Sequence, residues 1–373
     1  MSKLADLMAT RLRQDVQSMH AYAIQESAGF VKLDAMENPH RLSAELQAAL
    51  GHRLGALALN RYPDGRVNLL RKKLADHACM PDGFDIMLGN GSDELISLLA
   101  MAVDLPASQN PSGETPVILA PEPGFVMYAM SARFQGLTYV GVPLTADFEL
   151  DEAAMLSAIK LHKPAIVYLA YPNNPTANLW NDAAIARIIA LQGAQRGLVV
   201  MDEAYQPFAA RSWIDAIRSA PDQHAHVLLM RTMSKFGLAG VRIGYMMGQK
   251  ALIAEIDKLR PPYNISVLNC ECAMFALEHA EVFRLQAVEL IAQRALLLEA
   301  LGKMPGVQCW KSDANMVLVR VRDAAKTFDG MKANGVLVKN VSKMHPLLAN
   351  CLRLTVGTAT ENRQMLAALQ NSL

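Results

Sequence analysis

Short runs of almost unbroken apolar residues, each closed by a polar or glycine-rich segment, recur between about residues 40 and 260. Ala165-Ile-Val-Tyr-Leu169 and Val199-Val200-Met201 offer no polar face to water. A strand built from such a run must be covered on both sides, which is the condition of a mostly parallel sheet sandwiched by helices. The pattern predicts strands at 85–89, 116–120, 137–142, 164–170, 198–202, 227–231 and 243–247. Amphipathic stretches lie between several of them, such as 183–195, with Asn181 or Asp182 as its N-cap. The alternation breaks at Arg260-Pro-Pro-Tyr263, and a long helical region follows to about 304. Strands near 307–310, 316–321, 336–341 and 351–356 then read as a smaller α+β unit. The expected class is two-domain α/β.

A chain of 373 residues can bury a large core. Its formal net charge of +1 gives no basic excess for nucleic acid and no acidic solvating tail. The opening Met-Ser-Lys-Leu-Ala-Asp has no apolar leader segment, and no run approaches the ~18–20 residues of a membrane span. Five cysteines form no disulfide framework, and Cys270-Glu-Cys272 has no second ligand pair. His224-Ala-His226 lacks a third ligand, so no metal is expected. The simplest reading is a soluble enzyme of a reducing cytoplasm.

Four segments carry chemistry. Gly89-Asn-Gly91-Ser92-Asp93-Glu94 lies between a strand and the helix 95–103, where backbone amides and the helix dipole favour a phosphate. It is neither a Walker loop nor a full dinucleotide fingerprint, and alone it is ordinary connection chemistry. Tyr171-Pro-Asn-Asn174-Pro-Thr176 directs an Asn from the carboxyl end of a strand, the edge at which open α/β sheets bind ligands. A plain Asn-Pro turn explains the same residues. Val199-Val-Met-Asp202-Glu-Ala-Tyr205 ends an apolar strand in a carboxylate. That acid can be a solvated turn residue, or it can keep a pyridine nitrogen protonated. In Thr232-Met-Ser234-Lys235-Phe-Gly-Leu-Ala-Gly-Val-Arg242, two hydroxyls and a guanidinium suit a phosphate, and the lysine can form a Schiff base with an aldehyde.

Taken together with Asp34-Ala-Met-Glu-Asn-Pro39, Arg61-Tyr62-Pro-Asp64 and Cys351-Leu-Arg353-Leu-Thr-Val-Gly357, the chain resembles the class I and II aminotransferases of fold type I. Within them it is most similar to the histidinol-phosphate aminotransferases, along nearly its whole length. The resemblance implies a large domain over 40–262 that binds pyridoxal 5′-phosphate (PLP), and a small one built from 1–39 with 263–373. It implies a homodimer with shared active sites and a transaminase of histidine biosynthesis, transferring an amino group between L-glutamate/2-oxoglutarate and imidazole-acetol phosphate/L-histidinol phosphate by a ping-pong cycle. Lys235 would carry the cofactor and Asp202 would pair with its ring nitrogen. Asn174 and Tyr205 would bond the ring oxygen, and Phe125 would stack on the ring where a Tyr is common. Gly91, Ser92, Asp93, Thr232, Ser234 and Arg242 would hold the phosphate, together with Tyr62 from the neighbouring subunit. Tyr22, Asn174, Lys339 and Arg353 would contact substrate.

Two departures stand out. Ala177 replaces a glycine of the Asn-Pro-Thr-Gly turn, so that turn is expected to manage without a positive φ or to adjust slightly. Lys339 stands where better-known members carry Arg, a point charge in place of a fork. Competing readings within the fold are an aromatic-amino-acid aminotransferase and a threonine-phosphate decarboxylase. A ligand-sensing regulator is disfavoured by the intact Lys235 and the absence of a basic extension.

Overall fold

The computed structural model describes residues 3–18, 25–105, 108–109 and 113–373. Seven strands fall within two residues of the predicted stretches: β1 (Phe84–Gly89), β2 (Val117–Glu122), β3 (Thr138–Pro143), β4 (Ile166–Ala170), β5 (Leu198–Asp202), β6 (Val227–Thr232) and β7 (Gly244–Gln249). They hydrogen-bond in the order β1-β7-β6-β5-β4-β2-β3. Only β7 is reversed, antiparallel to β1 and β6, and the other pairings are parallel.

Alternation along each strand explains the continuous apolar runs. Ile118, Ile166, Tyr168, Val200, Leu228 and Met230 pack into one buried cluster with the helix Ser92–Val103. Leu119, Val167, Leu169, Val199, Met201 and Leu229 face the opposite cluster, which includes Ile185 and Ile188 of the helix Asp182–Ala194. Both faces of these central strands are covered, so a polar side chain there must find a partner inside the protein. Asn181 caps the second helix by accepting from Ala184 N.

Four further strands, β8 (Gln308–Cys309), β9 (Met316–Arg320), β10 (Lys339–Asn340) and β11 (Cys351–Thr355), make an antiparallel sheet of order β10-β11-β9-β8. The expected single strand over 336–341 is divided. Val336–Leu337 pairs in parallel with Val31–Lys32, and only Lys339–Asn340 joins the sheet. Val336, Leu337 and Val338 are all buried, and three consecutive residues cannot share one face of a strand. The chain therefore turns between two ladders. Leu33 packs in the same cluster as Leu352, Leu354 and Leu290 of the helix Ala280–Gly302. No helix among the described residues is long and apolar enough to cross a membrane.

The Ala177 turn departs from expectation. Ala177 keeps φ at +68° instead of avoiding the left-handed region. Its amide donates to Asn173 O at 2.9 Å and its carbonyl accepts from Asp313 N at 2.7 Å. Its methyl is buried with Met36, Tyr205, Ala314 and Met316. Two backbone hydrogen bonds and a filled apolar niche offset a conformation costing roughly 1–2 kcal/mol in an L-residue.

Between β5 and β6 lies a buried ion pair that the strand pattern does not announce. Glu203 Oε2 accepts from Arg231 Nε at 3.0 Å and Nη2 at 2.9 Å, while Oε1 accepts from Trp213 N at 2.5 Å. Ser212 Oγ reaches both carboxylate oxygens. With so many donors, the pair holds the carboxyl ends of β5 and β6 in register, next to the residues of greatest interest. Arg231→Met alone strands a buried carboxylate and is expected to lower unfolding free energy by about 3–5 kcal/mol. The double variant Glu203→Gln/Arg231→Met should recover most of it, because the amide oxygen still accepts from Trp213. Urea denaturation of the three proteins checks this; a loss in the double variant as large as in the single one would contradict it.

Candidate active site

The carboxyl ends of β4, β5 and β6 open onto one cavity of about 400 Å³. Asp202, Lys235, Asn174, Tyr205, Phe125 and Arg242 line it, as do Ser92, Asp93, Thr232 and Ser234. Nearly every sequence-predicted residue of the four segments is thus brought to a single place.

One end is an anion cradle. Gly91 has φ +82° and precedes the first turn of the helix Ser92–Val103, whose amide groups face outward. A Cβ there would lie 2.5 Å from Arg242 Nη2, and one on Gly244 would lie 2.5 Å from the Gly91 carbonyl carbon. Gly91 is required by its positive φ, and Gly244 by its close approach to the backbone of Gly91 and Ser92. Arg242 Nη1 is 3.4 Å from Ser234 Oγ, and Nη2 is 3.3 Å from Asp93 Oδ2. Thr232 Oγ1 donates to Ser234 Oγ at 3.1 Å and accepts from Ser234 N at 3.1 Å. Helix amides, two hydroxyls and a guanidinium therefore converge on space that fits a phosphate dianion.

Asp202 is 5% exposed at the end of β5. Burial raises its pKa from 3.8 to about 6, against the stabilising donors Tyr128 Oη at 2.6 Å to Oδ2 and Ala204 N at 3.0 Å to Oδ1. Burial acts in the opposite sense on Lys235, lowering its amine from 10.5 to about 7, with Arg353 adding to the effect. The amine donates to Ala35 O at 2.9 Å and stands 5.8 Å from the centre of the Tyr205 ring. Burial also raises the Tyr205 phenol, opposed by Arg353. A lysine uncharged near neutrality is a competent nucleophile and base.

The segment 34–37 crosses the site, and Ala35, Met36 and Glu37 form part of its wall, a role that the Asp34–Pro39 motif does not by itself disclose. Arg353 Nη2 donates to Asp34 O and Nη1 to Asn174 Oδ1, both at 2.8 Å. Met36 N donates to Thr355 Oγ1 at 3.1 Å, and Asn315 Nδ2 to Met36 O at 3.0 Å. Lys339 is half-buried and directly opposite Arg353 in the β10–β11 ladder, so both side chains leave the same face. Tyr62 is 77% exposed and stacks on Tyr263 at 4.7 Å, outside the cavity wall of its own chain. Tyr22 lies outside the described residues. His224 and His226 bond the backbone oxygens of Ala220 and Ile189. Tyr128 is the residue that sequence reasoning left without a role. Its only advance signal is a polar-tipped aromatic three residues after Phe125.

Comparison with known proteins agrees along the chain. The family model described as aminotransferase class I and II matches residues 28–369. The histidinol-phosphate aminotransferase of Polaromonas naphthalenivorans is 72% identical over 362 residues, covering 97% of this chain and 96% of that protein. That of Paracidovorax citrulli is 65% identical over 364 residues, with 97% of each covered. The crystal structure of histidinol-phosphate aminotransferase from Sinorhizobium meliloti in complex with pyridoxal-5′-phosphate superposes with a TM-score of 0.81, at 22% identity and 97% coverage of each chain.

A buried amine with a depressed pKa weakens the fold that holds it. Between pH 7 and 10.5 the unfolded chain holds one more proton at residue 235 than the folded chain does, so this group makes stability rise with pH. Lys235→Met is expected to stabilise the ligand-free protein at pH 7 by about 1–3 kcal/mol, discounted for solvent reaching the amine through the cavity. The gain should shrink towards pH 10. Denaturant titrations at the two pH values measure it, and equal gains would mean that the amine is not its source.

Proposed function

The chain belongs to the class I and II aminotransferases, and from that premise we propose that it interconverts L-histidinol phosphate and imidazole-acetol phosphate with 2-oxoglutarate and L-glutamate as the second pair. The observation that carries the substrate is the 72% identity to a histidinol-phosphate aminotransferase over 97% of this chain. The cofactor is pyridoxal 5′-phosphate. The residues present fit it: a phosphate-sized cradle at a helix N-terminus, a buried carboxylate held by two donors, and a lysine of depressed pKa line one cavity.

When bound, the cofactor supplies an aldehyde that captures amines and a protonated pyridine ring that draws electrons from the substrate's Cα. In this reading Gly91, Ser92 and Asp93 hold its phosphate through backbone amides, with Thr232, Ser234 and Arg242. Phe125 covers a ring face. Asn174 and Tyr205 bond the ring oxygen, and Asp202 keeps the ring nitrogen charged. Lys235 would hold the cofactor through its aldehyde group and would serve as the base that carries the proton leaving Cα. Arg353 grips the glutamate carboxylate or the histidinol phosphate ester. Lys339, on the same face of the ladder, adds the second positive charge that a dianion needs. Tyr22, matched to a substrate-contacting tyrosine, would donate one further hydrogen bond to the substrate.

A homodimer belongs to the same reading. Tyr62 and Tyr263 form a stacked pair that is largely exposed, 77% and 57%, as a pair awaiting a partner surface would be. Tyr62 would reach the phosphate in the neighbouring subunit. The domain division, 40–262 against 1–39 with 263–373, places the cofactor mostly in the first unit and Arg353 in the second. All five cysteines are free, in keeping with a reducing cytoplasm.

Single-turnover kinetics of the two half-reactions test this reading. Lys235→Ala should lose several orders of magnitude in both, since nucleophile and proton carrier go together. Lys339→Met should weaken histidinol phosphate by about one to two decades in kcat/KM and leave glutamate nearly untouched, whereas Arg353→Lys should impair both. Wild-type protein that fails to react with histidinol phosphate would overturn the substrate assignment. Mixing Tyr62→Phe and Lys235→Ala proteins should restore activity through hybrid dimers with one intact site. No recovery despite subunit exchange would overturn the shared site.

A further inference from the structure

We propose that Tyr128 is a positioning residue for Asp202, whose hydroxyl holds that carboxylate in one orientation and in its ionised form, and so sets the acid limit of catalysis. The inference rests on the role given to Asp202 above. Tyr128 Oη donates to Asp202 Oδ2 at 2.6 Å, and Ala204 N takes the other oxygen at 3.0 Å, so each oxygen has a fixed donor. Tyr128 is 2% exposed and cannot exchange this bond for one to bulk water. Its ring is stacked on Tyr168 at 4.3 Å and meets Phe125 edge-on at 5.6 Å. Phe125 lines the cavity, so the ring that carries the donor is braced against the cavity wall.

The neighbours show why this donor is needed. Asp93, from the helix Ser92–Val103, and Glu203, the next residue in the chain, both oppose a negative charge on Asp202, as does its burial. Glu203 is largely engaged by Arg231. The phenols of Tyr168 and Tyr205 stay protonated, pushed up by burial and by Asp202 itself. Lys235 and Arg242 line the same cavity but make no hydrogen bond to Asp202 among the described residues. Tyr168 Oη is buried without a hydrogen-bond partner, so the stacked pair contains one phenol that bonds the carboxylate and one that does not. That contrast supplies an internal control.

The test compares Tyr128→Phe, Tyr168→Phe and Asp202→Asn in the cofactor-loaded enzyme, by the pH profile of kcat for the glutamate half-reaction. The same variants are melted without cofactor as a function of pH. Loss of a donor disfavours the ionised carboxylate, so Tyr128→Phe should move the acid limb up by about one pH unit, a tenfold change in the ionisation equilibrium. In the cofactor-free protein, stability from Asp202 falls as pH rises from its unfolded value to its folded value near 6; in Tyr128→Phe that fall should extend about one unit further. Tyr168→Phe should move neither transition. Incorporating 3-fluorotyrosine at position 128, a stronger donor of the same shape, should shift the acid limb down. A lower melting point with both pH transitions unmoved would overturn the inference and leave the hydroxyl a packing element. Near-normal turnover in Asp202→Asn would instead overturn the role of Asp202 itself.

Discussion

Asp202 leaves water at the end of an apolar strand, and everything that positions the site depends on how that carboxylate is kept there. A lone buried charge is intolerable in a sheet interior, and the fold answers with two donors on Asp202 and a full set on its neighbour Glu203. Two adjacent acids therefore receive opposite treatment. Glu203 is neutralised by Arg231 and belongs to the framework. Asp202 has no cationic hydrogen-bond partner among the described residues, and its charge remains available to a ligand.

The same logic explains the opposite sign at Lys235. An ammonium surrounded by protein and facing Arg353 is disfavoured, so the amine is released from its proton near neutrality. A site that raises an acid and lowers a base within one cavity holds two groups away from their relaxed states. That arrangement costs stability, and the apolar clusters on both faces of the large sheet supply it.

Much of this was legible in the residues. Runs such as Val199-Val200-Met201 and Ala165-Ile-Val-Tyr-Leu169 report burial on both faces directly, because alternation is erased only when neither face is wet. Gly91, Asp202 and Lys235 each lie at or just beyond the carboxyl end of a strand, so the rule that ligands bind at carboxyl ends is enough to bring them together. What was not legible depends on pairing across long separations. Nothing local tells that Tyr128 meets Asp202 across 74 positions, or that Arg231 meets Glu203. The positive φ at Ala177 was misjudged for a related reason. Local propensity argues against it, and the niche formed with Met36, Tyr205 and Met316 overrides that preference. The split of 336–341 between two ladders likewise follows from Val31–Lys32, far away in the chain.

The strap over the cavity ties together parts of the chain that are made far apart in time. Met36 bonds Thr355 and Asp34 accepts from Arg353, contacts that each span 319 positions. A nascent chain ending between Gln249 and Arg353 holds every strand of the large sheet, with Lys235 already in place. It still lacks the residues that pin segment 34–37 over that lysine. Contacts of such separation form late, because the entropy of closing so long a loop must be met before they contribute. The reactive amine is thus built early and enclosed last, and competence for chemistry arrives only with near-completion of synthesis.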